Sequence, residues 1–230
     1  RVAEGKPLEE HSVMSAEVEL TATKLAETFA EAIPSSVLQT YALLGANEAS
    51  GSAFFSIGVS AFAIAYSSST ISFDFDTDPN KRETAPTFYG YIGDTNRMQI
   101  MILMISMTFS HVLMKVIACS LLLRVNFTMF SIYVAGDAAL FLGYKLLRRE
   151  LRYMLRLDGV LGWVVSVVIR LIVKTMTDFT LMIQCRHAFE MGGLYWFLNG
   201  VFNQVLCFLS VFLYGKYSND KREELPNNLW

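Results

Sequence analysis

Six apolar blocks recur along this chain, at about 33–46, 52–71, 98–123, 126–147, 159–184 and 192–214. Apart from the first, each approaches or exceeds the roughly 20 residues that carry an α-helix across the hydrocarbon core of a bilayer. Inside that core no water bonds the backbone, and open strand edges cannot be satisfied, so spanning blocks of this kind must be helical. The pattern therefore predicts an all-α fold, a polytopic transmembrane helix bundle occupying residues 24–216. Residues 1–23, 72–97 and 217–230 are polar and are expected to form a flank, a loop and a tail in water. Composition agrees, since 53% of the chain is hydrophobic and only 17% charged, against about 25% charged in ordinary soluble domains.

Several kinds of chemistry find no support. Cys119, Cys185 and Cys207 stand far apart in apolar stretches without a CxxC pair, which argues against a zinc site or a disulfide framework. No P-loop, HExxH or GxSxG motif occurs, so neither an enzyme nor a bound metal or cofactor is expected. A net charge of −2 with no basic-aromatic platform gives no reason to expect nucleic acid. The opening "RVAEGKPLEEH" reads like the interior of a longer chain. Membrane lipids are the expected partners, with other subunits or a preceding N-terminal portion left open.

Orientation follows from the basic residues between the blocks, because cytoplasmic loops carry the excess of Lys and Arg. Lys145, Arg148, Arg149, Arg152 and Arg156 crowd the fourth connection and mark it as cytoplasmic. Alternation then places Lys81, Arg82 and Arg97 inside, Arg124 and Arg186 outside, and Lys216, Lys221 and Arg222 inside. Both ends are expected in the cytoplasm of a cell with this protein in its plasma membrane or another membrane. "NFT" at 126–128 matches a glycosylation sequon but abuts the membrane, where it is expected to go unused.

Function is expected to lie with the ionisable residues that hydrocarbon should reject. Such groups usually face the bundle interior and find partners there. Glu27 and Glu31 precede the first block, His111 and Lys115 lie in the third, and Asp137 lies in the fourth. In the fifth, Ser166, Arg170, Lys174 and Asp178 recur four apart and form one slowly drifting stripe. Lys174 and Asp178 can pair along it, which leaves Arg170 to find an anion elsewhere. At 1.5 Å per residue, Arg170 and Asp137 each fall roughly 17 Å from one end of their helices, so the two are expected to bridge at the midplane. Lys115 lies close enough to an outer end to snorkel.

The first block is short and carries Pro34, whose ring clashes with the carbonyl of Ala30 and removes a backbone donor. A helix through Glu27 and Glu31 must therefore kink or restart there, and the segment near 27–46 is closer to a re-entrant helix than to a full span. Its glutamates are expected on the buried face, meeting Lys115, Arg170 or Lys174.

The order "ETFAEAIPSSVLQ" resembles the ET-hydrophobic-x-E-x-x-P-x-x-x-x-Q segment of XK-related membrane proteins, which include phospholipid scramblases. Glu27, Thr28, Phe29, Glu31, Pro34 and Gln39 are the matching positions, and Ser35 departs from the Gln that usually follows the proline. "SIGVSAFAIAYSSSTISFD" resembles the next span of that family, and "TFSHVLMKVIACSLLL" the following helix, with His111 and Lys115 as its histidine and basic residue. The resemblance implies a proline-bearing re-entrant helix and a stepped track of acidic and basic side chains for lipid headgroups. It carries over to Glu27, Glu31 and Lys115. A channel or ion-coupled transporter could use the same charges as a pathway, and a non-catalytic anchor or subunit would keep them purely paired.

Overall fold

The computed structural model describes residues 16–46, 50–79, 92–149, 159–180 and 193–224. Lys81, Arg82, Arg152, Arg156 and Arg186, on which part of the orientation reading rests, lie outside the described residues, as does Cys185. The helices are α1 (Ala16–Glu27), α2 (Ile33–Leu43), α3 (Gly51–Thr77), α4 (Arg97–Val125), α5 (Phe127–Leu147), α6 (Gly159–Thr180) and α7 (Gly193–Glu224), with a π-helical turn at Thr28–Ala32 between the first two. Among the described residues there is no strand. Helices α3 to α7 each contain a stretch long and apolar enough to cross a membrane. The chain is an all-α helical bundle and an integral membrane protein.

The distribution of side chains inverts that of a soluble protein. Phe55 and Phe208 are each 75% exposed, whereas Lys145 is 0% and Lys115 1% exposed. Lys is almost never fully buried in soluble folds unless paired. Here the apolar rings cover the outside, where acyl chains would solvate them, and the polar groups turn to one another.

Pro34 is accommodated without the helix ending. The backbone N–H of Ile33 bonds the carbonyl of Thr28, five residues back, and this widened turn makes room where an α-turn would clash. The helix restarts at Ile33 with Pro34 in its first turn, a position that needs no donor. The eleven residues of α2 rise only about 16 Å, short of the roughly 30 Å hydrocarbon core. The next described helix is α3, whose N-terminus is capped by Ser50 accepting from the backbone N–H of Ser52. One buried stripe on this segment holds Ile33, Ser36, Val37 and Thr40. Ser120 of α4 donates to the carbonyl of Val37 at 2.9 Å and ties the two helices together.

Small side chains set the closest packing, between α3 and α4. Ala61 is 1% and Ala65 0% exposed, and the Ser69 hydroxyl donates to Thr108 at 3.3 Å. The close approach therefore begins at Ala61, with Gly58 only half-buried. Asn126 ends α4 in an extended conformation and caps α5 by accepting from the backbone N–H of Thr128 at 2.8 Å. The would-be sequon is thus a one-residue hairpin between antiparallel helices.

Each end of the bundle has its own fastening. Buried Asp76, near the end of α3, accepts the backbone N–H of Ile92 at 2.5 Å and holds the return towards α4. At the opposite end Arg124 lies over the ring of Tyr41 at 4.6 Å and fills the space beside Gly45. A Cβ added to Gly45 would come within 1.1 Å of the Arg124 guanidinium. Gly45→Val is therefore expected to expel Arg124 from this seat at a cost of about 1–2 kcal/mol. Thermal unfolding in detergent checks it, and adding Arg124→Gln should then cost little more.

Candidate functional site

The polar interior is organised around Lys174, in the middle of α6. Its ammonium donates to the carboxylate of Asp137 on α5 and, at 2.5 Å, to Asp178 one turn further along α6. Lys174 is 2% exposed, and the side chains of Asp137 and Asp178 are 12% and 6% exposed. Taking such ions out of water costs several kcal/mol each unless their geometry and further hydrogen bonds restore it.

Those further bonds come from α7. The second oxygen of Asp178 accepts from the Asn199 amide at 2.6 Å and, at 3.5 Å, from that of Asn203. Asn203 turns its carbonyl oxygen towards Lys115 of α4, whose ammonium donates to it and to the hydroxyl of Tyr133 on α5. Lys115 also lies 4.8 Å from the centroid of the Tyr133 ring and 5.8 Å from that of Phe179. One turn earlier on α4, His111 Nε2 meets the main-chain oxygen of Asp178 at 2.7 Å and Nδ1 meets the Gln204 amide at 3.1 Å. A carbonyl only accepts and an amide nitrogen only donates, so the ring is the tautomer with its proton on Nε2. Four helices are joined by one connected polar network.

Above this network lies a cavity of about 470 Å³ between α2, α4, α5 and α6. Ile33, Pro34, Val37 and Leu38 form one wall, Phe130 and Val134 another, and Leu171 and Phe179 a third. Lys115, Asp137, Lys174 and Asp178 supply its polar part.

The structure brings together His111, Lys115, Asp137, Lys174 and Asp178, and it departs from the sequence expectations at three points. Asp137 pairs with Lys174 and not with Arg170. Depth counting places a residue no better than helix ends are known, and Arg170 and Lys174 sit a single turn apart. Arg170 is buried at 2% exposure on the same stripe as Ser166. Lys115 does not snorkel outward but is buried, because Asn203 and Tyr133 offer it partners that no count of charges reveals. Glu27 and Glu31 do not lie on the buried face: both are exposed, and Thr28 and Ile33 are the buried residues there.

Sequence reasoning missed Tyr133, Asn199, Asn203 and Gln204. A signal existed in the two amides Asn199 and Asn203, four apart in an apolar block and hence on one face of α7. Amides in lipid need partners much as charges do, and ionisable groups alone do not reveal them.

No protein-family model, curated protein or solved structure matches this chain. What the chain does is to be read from its own side chains.

Proposed function

We propose that this protein carries phospholipid headgroups through the bilayer, as a lipid-transport protein resembling the XK-related scramblases. The observation that carries the reading is the combination of a charged network with an apolar cavity beside it. A zwitterionic headgroup offers a phosphate to lysine and an ammonium to aspartate, so it can exchange with a Lys–Asp pair contact for contact. Such exchange lowers the cost of a polar head in hydrocarbon, whereas fully sealed pairs would serve only to orient helices.

The exposed glutamates support the same reading. Leu25 and Phe29 pack against the layer of Ile71, Phe141 and Met176, and Ile33 and Val37 against the layer of Ile64 and Phe179. Glu27 and Glu31 therefore lie at the depth of Lys174 and Asp178 but on the outward flank. Outward carboxylates at that depth fit a headgroup track along the protein surface better than an enclosed ion pore, which would turn its charges inward.

The test is reconstitution into liposomes with a fluorescent lipid and a membrane-impermeant quencher. Fluorescence is expected to fall well below one half of its starting value. Quenching that stalls near one half, with protein verified in the vesicles, contradicts the proposal. A steady ionic current from the same vesicles would favour the channel or transporter reading.

A further inference from the structure

The cavity between α2, α4, α5 and α6 has a feature that headgroup transport does not require. Of the two ammonium groups that line it, Lys174 is engaged by Asp137 and Asp178. Lys115 contacts a hydroxyl, an amide oxygen and two aromatic rings, and among the described residues no carboxylate pairs with it. It is 1% exposed, so its charge has left water for partners that are all neutral. An ammonium in that setting attracts any anion that can reach it, because the low dielectric strengthens the interaction. The way in is apolar, past Val37, Leu38, Phe130 and Val134, which admits an alkyl chain and rejects a small hydrated anion.

The volume narrows the choice further. The cavity offers about 470 Å³ beside this ammonium, and its apolar walls suit one alkyl chain laid between α2 and α5. We propose that the cavity binds a single-chain anionic amphiphile of the long-chain carboxylate class, with its carboxylate on Lys115 and its chain between α2 and α5. The ligand supplies the anion that the protein itself withholds from Lys115. This site uses the cavity on which the transport reading also rests, and the experiment below reads it apart from lipid movement.

The test uses the full chain in nanodiscs of zwitterionic lipid and a long-chain fatty acid bearing a photoreactive group on its tail. Irradiation followed by peptide mapping is expected to place the label on α2 and α5. Unlabelled fatty acid should compete at least tenfold better than the alcohol or the quaternary ammonium of the same chain length. Lys115→Met should lower labelling at least tenfold. Should that variant fail to fold, Val134→Trp decides, since Val134 is 47% exposed at the cavity wall, takes no part in the polar network, and an indole there is expected to narrow the cavity. Equal competition by the alcohol or the ammonium overturns the proposal. So does better competition by a diacyl phosphate lipid, or labelling that Val134→Trp leaves unchanged. Lipid scrambling is not read in this experiment, so a negative result in either assay leaves the other proposal intact.

Discussion

Lys174→Met is expected to lower stability by about 3–5 kcal/mol. The change removes one cation and strands two buried carboxylates, Asp137 and Asp178. A pair that is broken on one side costs more than a pair that never existed, since the remaining charge is left without its counter-ion. Asp137→Asn should cost clearly less, because Lys174 keeps Asp178, and Asp178 keeps its bonds from Asn199 and Asn203. With total stabilities of 5–15 kcal/mol as the usual range, Lys174→Met is expected to fold with a much reduced margin. The midpoint of helix loss in mixed micelles, titrated with a denaturing detergent, ranks the variants.

On the proposed transport reading, Glu27→Gln combined with Glu31→Gln is expected to slow lipid movement by at least about tenfold while leaving the helical bundle intact, a change of about 1.4 kcal/mol in the barrier. Both side chains are exposed, and neither takes part in the Lys174 network. Removing a charge that faces hydrocarbon relieves an insertion cost, so the doubly substituted protein should fold at least as well as the parent. Loss of rate with unchanged unfolding then identifies the carboxylates as part of the path. Parental rates in the substituted protein would restrict lipid movement to the interior network. The stepwise single substitutions show which rung matters more, and Glu31, nearer the π turn and Pro34, is expected to contribute the larger share.

The bundle was legible in the sequence because hydrocarbon is an unforgiving solvent. Twenty apolar residues in a row admit few structures, and the five long blocks appear as five helices of spanning length. The restart at Pro34 was equally legible, since a ring and a missing donor act on their own turn. Of the polar network, His111, Lys115, Asp137, Lys174 and Asp178 stood out as ionisable residues in apolar blocks, but not their pairing or their neutral partners. Periodicity along α6 placed Arg170, Lys174 and Asp178 on one face and correctly joined the last two. Which of them meets Asp137 depends on a shift of one turn between α5 and α6, where Phe141 packs with Met176, and no count along either helix fixes that shift. The same holds for Glu27 and Glu31: the buried stripe leads from Ile33 back through Phe29 and Leu25, and charge balance alone could not reveal that. Asn203 shows a different limit. It bonds Lys115 and Asp178 at once, yet an amide carries no charge to attract notice in a sequence.

A double-mutant cycle between Asp137 and Lys174 tests most directly whether charges from different helices are mated within the bilayer. The two side chains come from α5 and α6, 37 residues apart in the chain, so no local effect can couple them. Asp137→Leu, Lys174→Met and the combined variant are each unfolded in the same micelles. The double substitution is expected to cost at least about 1 kcal/mol less than the sum of the singles, as groups in direct contact do. Costs that add to within about 0.5 kcal/mol would mean that the two groups do not meet, and the charged network would lose its centre.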